Sequence, residues 1–222
     1  MDNLNKWVIV FDLDDTLYSE RDYFFSGINA VEEYITKIYK VQFNQKILKA
    51  HKDGISDLWS WACKELNLPN EVKETFLWIY RLHNPHILLN EKISSLFSVF
   101  KKEKIKLAII TDGRSITQRL KINALNLQEI PLFISEEFNS KKPSLERFLI
   151  VEKRWPDYKY VYIGDNPNKD FIAPKALGWL CIGADWIANK VHVKSVKESI
   201  MPHYWLKDPL EILNLLKSKK TY

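Results

Sequence analysis

A cluster of carboxylates follows an apolar run near the start of the chain. The run Val8–Phe11 is apolar and mostly β-branched, which is typical of a buried strand in a parallel sheet. Asp12, Asp14 and Asp15 come directly after it, and three acids so close together repel one another. A bound cation would offset that repulsion, and a carboxylate beside a cation can also serve as a nucleophile. The alternative is an acidic turn that caps the next helix, since Asp15 and Thr16 are common turn residues.

Three further elements carry polar residues that could share in such chemistry. Thr111-Asp112-Gly113 places a hydroxyl residue beside a glycine at the end of an apolar run, and in Lys142-Pro143 the proline stops the preceding backbone from continuing into a helix. In Gly164–Asp170 an acidic loop follows a strand and opens the next helix. Read singly, the threonine could cap a helix, the lysine could lie on the surface, and Asp170 could be a helix N-terminal acid. Read together, they offer what phosphoryl transfer needs, which is a nucleophile, acids for a divalent cation, and donors for the remaining negative charge.

The elements that must position these residues alternate between strand and helix. Strands separated by helices predict right-handed crossovers and a parallel sheet covered on both faces, an α/β, Rossmann-like core. Ligands of such sheets bind outside the carboxyl ends of the strands, and Asp12, Thr111 and Asp165 each fall at or just after such an end. The predicted strands are Trp7–Phe11, Lys106–Thr111, Pro131–Ile134, Tyr160–Ile163 and Trp179–Ile182, and the predicted helices between and after them are Ile93–Lys101, Ile116–Leu125, Leu145–Lys153, Asp170–Leu177 and Pro209–Leu216.

The alternation is interrupted between residues 18 and 89 by a segment without a convincing strand. Apolar residues recur there at helical spacing, which predicts a small helical bundle. A bundle inserted after the first strand would lie over the carboxyl edge of the sheet and could close the site from water, as lids do.

The four elements, in this order, resemble those of the haloacid dehalogenase (HAD) superfamily of hydrolases. Asp12-Leu13-Asp14-Asp15-Thr16 matches the Asp-x-Asp-x-Thr signature of that family, and Gly164–Asp170 matches its Gly-Asp-x-x-x-x-Asp element. Thr111 and Lys142 match its Thr/Ser and Lys elements, and Lys142 is preferred over Lys141 because the lysine of the family commonly precedes a proline. The resemblance covers the whole chain and implies a core of residues 1–17 and 90–222 with a helical cap at residues 18–89.

The resemblance also implies catalytic roles. Asp12 is expected to be the nucleophile that forms an aspartyl-phosphate, and Asp14 to protonate the leaving alkoxide and then activate water. Thr111 is expected to offer a hydroxyl to a phosphate oxygen, with the backbone amides of Asp112 and Gly113 nearby. Lys142, also a catalytic and substrate-binding residue, would stabilise the transferring group by its charge.

The cofactor implied by the resemblance is Mg²⁺. Asp12, the backbone carbonyl of Asp14 and Asp165 are the expected ligands, since this hard cation prefers oxygen. Asn166 and Asp170 are expected to support the site, Asp170 by orienting Lys142 or the metal shell.

Asp14 distinguishes the reactions that this family performs. Dehalogenases of the family generally lack an acid at this place, since a departing halide needs no proton, so the resemblance favours a phosphatase acting on a small phosphorylated metabolite. A 2-haloacid dehalogenase-type hydrolase and a non-catalytic binding protein that retains the fold remain the alternatives. Arg21, Phe24 and Phe25 are candidates for substrate specificity, whereas His83 and His86 are more typical of a loop than of a second metal site.

Composition sets the remaining expectations. The chain has 222 residues, a net charge of +5 and a pI near 9.0, but its basic residues are dispersed and form no common nucleic-acid-binding motif. No apolar run is long enough to cross a membrane, and a first strand at Trp7 leaves no room for a signal peptide. Cys63 and Cys181 are expected to be buried free thiols, in line with a cytoplasmic protein. A monomer and a homodimer are equally compatible with the sequence.

Overall fold

The computed structural model describes residues 4–188 and 200–219, which form a parallel sheet flanked by helices. The order of its strands is β3-β2-β1-β4-β5-β6, and every neighbouring pair is parallel. The predicted Rossmann-like α/β fold is therefore confirmed. The strands are β1 (Trp7–Phe11), β2 (Lys106–Thr111), β3 (Leu132–Ile134), β4 (Lys159–Gly164), β5 (Leu180–Ala184) and β6 (Tyr204–Leu206).

Ten α-helices are found in the described part of the chain, and two short 3-10 helices, Leu4–Lys6 and Asn70–Val72, accompany them. The five helices predicted in the core are present as α5, α6, α8, α9 and α10, with ends that differ by a few residues, and the four-residue α7 was not predicted. The α-helices are α1 (Glu20–Tyr39), α2 (Lys46–Lys52), α3 (Leu58–Glu65), α4 (Lys73–Leu82), α5 (Glu91–Lys102), α6 (Ser115–Ala124), α7 (Ser135–Phe138), α8 (Glu146–Arg154), α9 (Ile172–Ala176) and α10 (Glu211–Ser218).

Alternate residues of the central strand β1 point to two separate apolar layers. Ile9 and Phe11 belong to a buried cluster with side chains of α5, α6 and α10, whereas Val8 and Val10 belong to another with side chains of α8 and α9. Both faces of β1 are therefore covered, as its uninterrupted apolar sequence predicts.

Helices α1–α4 form the insert between β1 and α5, and residues 18–89 contain no strand of the sheet. They have an apolar cluster of their own, in which Ile28, Phe43 and Phe76 are fully or almost fully buried. Asn90, where the chain returns to the core, donates its backbone N–H to the carbonyl of Leu17 (3.1 Å), so the two connections of the insert lie side by side.

Two sequence-based expectations about the whole chain can be compared with the structure. Cys63 and Cys181 are buried free thiols, as predicted. No helix within residues 4–188 and 200–219 has the length and apolarity that a membrane crossing requires.

Candidate active site

The polar ends of β1, β2 and β4 meet at one edge of the sheet. Asp12 follows β1, Thr111 is the last residue of β2, and Asp165 follows β4. The backbone N–H of Asp12 donates to the carbonyl of Ile163 (2.8 Å), which extends the ladder between β1 and β4 by one residue. This pairing sets the carboxylate of Asp12 beside the loop that carries Asp165.

Three carboxylates converge at this edge. Ligand oxygens of Asp12, Asp165 and Asp170 all lie within 4.8 Å of one another, and all three residues are buried. Gly164 makes room for this arrangement, since a Cβ there would lie 2.6 Å from Oδ2 of Asp170. Buried acids at such separations repel each other, and carboxylate oxygens are the donors that small hard cations prefer, so these residues fit Mg²⁺. The side chain of Asp170 joins Asp12 and Asp165 in this group, although sequence reasoning gave it only a supporting place.

The ammonium group of Lys142 lies fully buried between two of these acids. Its Nζ donates to Oδ1 of Asp12 (2.6 Å), to Oδ1 of Asp170 (2.6 Å) and to the hydroxyl of Tyr162 (3.0 Å). Burial alone would lower the pKa of Lys142, but the two carboxylates raise it well above its ordinary value, so the group is a cation. Lys141 is exposed, which agrees with the choice of Lys142.

Burial dominates the ionisation of Asp12. It raises the pKa of this carboxyl to about 6, and the charge of Lys142 opposes that rise. A bound cation would act in the same direction as Lys142. Asp12 thus contacts the ammonium group of Lys142 and belongs to the group of carboxylates that could hold a metal cation.

The loop after β4 is organised by its own hydrogen bonds. Oδ2 of Asp170 accepts the backbone N–H of Asn166 (2.8 Å), and the carbonyl of Asn166 accepts the N–H of Asp170 (2.9 Å). The side chain of Asn166 accepts the N–H of Asn168 (3.0 Å). Asn166 and Asp170 therefore shape the loop that presents Asp165.

Asp14 occupies a different environment from Asp12. Its carboxylate accepts hydrogen bonds from the hydroxyl of Tyr18, from Nε2 of Gln118 (3.0 Å) and from Nζ of Lys121 (2.7 Å). Burial raises the pKa of Asp14, but the charge of Lys121 and these hydrogen bonds outweigh burial and hold that pKa below its usual value. The ionised carboxylate can accept a proton.

Thr111, Asp112 and Gly113 form hydrogen bonds with several other elements around the site. The hydroxyl of Thr111 accepts from Nε2 of Gln118 (2.9 Å), so this contact does not use its own O–H proton. The backbone N–H of Gly113 donates to the hydroxyl of Ser135 (2.9 Å). The carboxylate of Asp112 accepts from the guanidinium of Arg147 (2.6 Å) and from the backbone N–H of Lys142 (3.2 Å), so its side chain joins the second and third elements of the site.

Residues of the insert approach the same edge. Oδ1 of Asp15 accepts the backbone N–H of Glu20 (2.9 Å) at the start of α1. Burial raises the pKa of Glu20 to about 7, and the charge of Asp14 adds to that rise. A cavity of about 480 Å³ extends from Glu20 along Arg21, Phe24 and Phe25, the proposed specificity residues.

His83 is satisfied within the insert. Its Nδ1 lies 2.6 Å from the carbonyl of Tyr80, so Nδ1 carries a proton, and its Nε2 accepts from the hydroxyl of Ser26 (3.0 Å). That hydroxyl in turn accepts the backbone N–H of His86 (2.8 Å). Both ring nitrogens are used by protein groups, which agrees with a structural loop and not with a metal site.

Sequence reasoning missed three buried polar residues, Gln118, Lys121 and Arg147. Gln118 and Lys121 lie three positions apart on α6, which follows the second element directly, so they share the helix face toward Asp14. That spacing is the signal that could have indicated them. Arg147 carries no comparable signal in the sequence.

Known proteins resemble this chain over nearly its whole length. The family profile for haloacid dehalogenase-like hydrolases matches residues 9–184. A glyceraldehyde 3-phosphate phosphatase of Methanocaldococcus jannaschii is 26% identical over 226 residues, which cover 96% of this chain and 97% of that protein.

Solved structures share the fold. The HAD-hydrolase YfnB of Bacillus subtilis, solved bound to magnesium, superposes with a TM-score of 0.65 at 21% identity, covering 94% of this chain and 97% of that one. A 2-haloacid dehalogenase of Pseudomonas syringae pv. Tomato superposes with a TM-score of 0.65 at 15% identity, covering 96% and 99% of the two chains. The profile match spans more than half of the chain, and it confirms the expectation of an enzyme of this family. The chain belongs to the haloacid dehalogenase-like hydrolases.

Proposed function

We propose that this protein is a Mg²⁺-dependent phosphatase that hydrolyses a small phosphomonoester through an aspartyl-phosphate on Asp12. The observation that carries the proposal is the buried group of Asp12, Asp165 and Asp170, in which the ammonium of Lys142 pairs with Asp12 and Asp170. A further carboxylate, Asp14, stands two residues beyond the proposed nucleophile. The curated relative acts on glyceraldehyde 3-phosphate, which supports a small phosphorylated substrate.

The proposed reaction assigns a role to each of these residues. An oxygen of Asp12 attacks phosphorus and the ester P–O bond breaks. Asp14, ionised in the free protein, takes up a proton in the substrate complex, where the negative phosphate raises its pKa, and gives that proton to the departing alkoxide. Asp14 next takes a proton from water, whose oxygen attacks phosphorus and releases inorganic phosphate and free Asp12. Thr111 donates its O–H to a phosphate oxygen, and Lys142 offsets the charge of the transferring group.

Mg²⁺ would be held by Asp12, the backbone carbonyl of Asp14 and Asp165, and it would neutralise phosphate charge. The backbone amides of Asp112 and Gly113 are the further proposed phosphate donors, and Asn166 and Asp170 keep the ligand loop and Lys142 in place. The Gly113 amide, which donates to Ser135 here, would exchange that partner for a phosphate oxygen.

The insert is proposed to act as a cap. Residues 18–89 form the cap and residues 1–17 and 90–222 the core, a division supported by the separate apolar cluster of α1–α4 and by the paired connections at Leu17 and Asn90. A cap over the carboxyl edge would exclude polymers and favour small substrates. A cytoplasmic location, a monomeric or homodimeric state and the lack of nucleic-acid or membrane partners remain predictions.

A panel of phosphomonoesters tests the function. We expect release of inorganic phosphate with Mg²⁺, its loss in EDTA, and its loss in Asp12→Asn. Chloride release from 2-chloropropionate, measured in parallel, tests the dehalogenase alternative, which the acid at position 14 disfavours. Turnover that survives EDTA, or that survives in Asp12→Asn, would contradict the proposal.

A further inference from the structure

Helix α6 presents two polar side chains to the carboxylate of Asp14. Gln118 donates its Nε2–H to Oδ2 of Asp14 (3.0 Å), and Lys121 donates from Nζ to Oδ1 (2.7 Å). Gln118 is 2% exposed and Lys121 is 4% exposed, although both are residue types that normally face solvent. Burying an amide and an ammonium is unfavourable unless their donors gain partners, and Nε2 of Gln118 and Nζ of Lys121 both find one in Asp14.

Gln118 joins Asp14 to the phosphate-binding side of the site. The same Nε2 lies 2.9 Å from the hydroxyl of Thr111 and 2.8 Å from the carbonyl of Asp112. One amide group therefore spans the carboxyl ends of β1 and β2, between the proton-transfer carboxylate and the proposed phosphate donor.

The backbone leaves room for this bridge. Gly113 has φ 151°, and a Cβ built on it would lie 2.9 Å from Nε2 and 3.1 Å from Cδ of Gln118. A larger residue at position 113 would displace the amide from Asp14. Close packing against Gln118 therefore explains why a glycine occupies position 113 in this chain.

Lys121 is held from its other side by aromatic rings. Its Nζ lies 4.3 Å from the ring centroid of Tyr23 and 5.9 Å from that of Tyr18. Cation–π contacts with the two rings add to the contact with Asp14 in holding the ammonium group in place.

We propose that Gln118 and Lys121 are positioning residues of the phosphatase reaction. They fix the carboxylate of Asp14 and, through Gln118, hold it at a set distance from Thr111. The inference rests on the proposed function, because Asp14 needs a fixed position only if it moves protons to and from the reacting groups.

The chemistry makes this role measurable with two kinds of leaving group. An alkoxide needs a proton as it departs, whereas p-nitrophenolate departs without one, so formation of the aspartyl-phosphate depends on Asp14 mainly for alkyl esters. Because kcat/KM covers the steps up to leaving-group departure, it reports this dependence directly.

The experiment compares Gln118→Met, Lys121→Met and Asp14→Asn, singly and in pairs, on an alkyl phosphate and on p-nitrophenyl phosphate. General acid catalysis contributes about 10²–10⁴-fold, so we expect each Met variant to lose at least about tenfold in kcat/KM on the alkyl ester. The loss on the aryl ester is expected to be several times smaller. On the Asp14→Asn background the Met substitutions should lower kcat/KM by less than a further factor of about two, because the carboxylate through which they act is already absent.

Matched controls come from exposed residues. Gln128→Met and Arg119→Met replace a glutamine and a cationic residue at positions that do not touch Asp14, and both should keep the activity of the unmodified protein. Circular dichroism verifies folding, and Gln118→Asn, which keeps a buried amide but shortens it, serves if the Met variant does not fold.

Equal losses on both esters, or losses that persist in full on the Asp14→Asn background, would overturn the proposal. A urea-unfolding cycle of Asp14→Asn with Lys121→Met tests the contact without any turnover, and a non-additive shift of the midpoint is expected. If the unmodified protein hydrolyses no phosphomonoester although the midpoint shifts are non-additive, the proposed function is wrong, whereas the energetic coupling between Asp14 and Lys121 is confirmed. If the shifts are additive, the positioning inference fails regardless of activity.

Discussion

Replacing Arg147 by methionine is expected to destabilise the protein by about 3–5 kcal/mol, the usual result of breaking a buried ion pair from one side. Arg147 is fully buried on α8, and its guanidinium donates to the carbonyls of Thr111 (2.8 Å) and Phe133 (3.3 Å) and to Oδ1 of Asp112 (2.6 Å). Methionine fills much of the same space, so lost polar contacts dominate the change.

The magnitude follows from these contacts. A hydrogen bond from a charged donor contributes about 1.5–3 kcal/mol, and the side chain loses three such contacts. Asp112 retains the N–H of Lys142, and its side chain is 15% exposed, which keeps the total below the sum of the three. For a chain of this size the loss corresponds to a decrease in Tm of roughly 6–20 °C.

Urea unfolding followed by tryptophan fluorescence measures the change, with Arg119→Met as the control. Arg119 also pairs with a carboxylate, Glu137 (2.7 Å), but its side chain is 55% exposed, so its loss should reduce stability by less than about 1 kcal/mol. Arg147 donates to carbonyls of both β2 and β3, so we infer that it stabilises the pairing of these strands near their carboxyl ends. Equal, small losses of unfolding free energy in the two variants would refute this inference.

Three further outcomes are expected. Lys142→Met should lower kcat by about a hundredfold to a thousandfold on any phosphomonoester, because the transferring group loses a preorganised charge; unchanged kcat would remove Lys142 from the mechanism. The pKa of His83 is lowered by burial, so its neutral form is favoured in the folded state, and stability should fall as the pH drops below the ordinary histidine pKa of about 6.5. Urea midpoints at several pH values should show a smaller decline in His83→Gln, and parallel curves would contradict this. Phe76→Ala should cost about 3–5 kcal/mol in the apolar cluster of the insert, measured by urea unfolding, whereas a loss below about 1 kcal/mol would show that the cluster does not depend on it.

The sequence predicts the core best where periodicity and chain order act together. Strands β1–β5 are apolar runs separated by amphipathic helices, and such alternation leaves few topologies. Strand β6 is only three residues long, Tyr204–Leu206, and its place depends on Trp205 lying against Gly183, where a Cβ would come within 2.2 Å of the indole ring. This packing of Trp205 against Gly183 exists only in the folded chain, and the local sequence around β6 does not indicate it.

The site divides in the same way. Asp12, Thr111 and Asp165 stand in recognisable elements at strand ends, and Lys142 stands in a recognisable Lys-Pro element, so their convergence could be expected from the sequence. Helical glutamine, lysine and arginine residues usually face solvent. The spacing of Gln118 and Lys121 indicates a shared helix face, but the fold is needed to show that this face is buried against the site, and that Arg147 is buried as well. Asp12 lies beside Lys142 within the acidic group, whereas Asp14 lies against α6, and this separation likewise follows from tertiary contacts.

Rapid acid quenching during turnover tests the central claim most directly. The protein is mixed with a phosphomonoester and Mg²⁺, quenched within the first turnovers, digested and examined by peptide mass spectrometry. The account predicts a phosphoryl group on the side chain of Asp12, lost in Asp12→Asn and enriched in Asp14→Asn with an aryl ester, since water activation then fails. Phosphate release without a phosphorylated peptide, or a phosphoryl group on another residue, would contradict the assignment of Asp12 as the nucleophile.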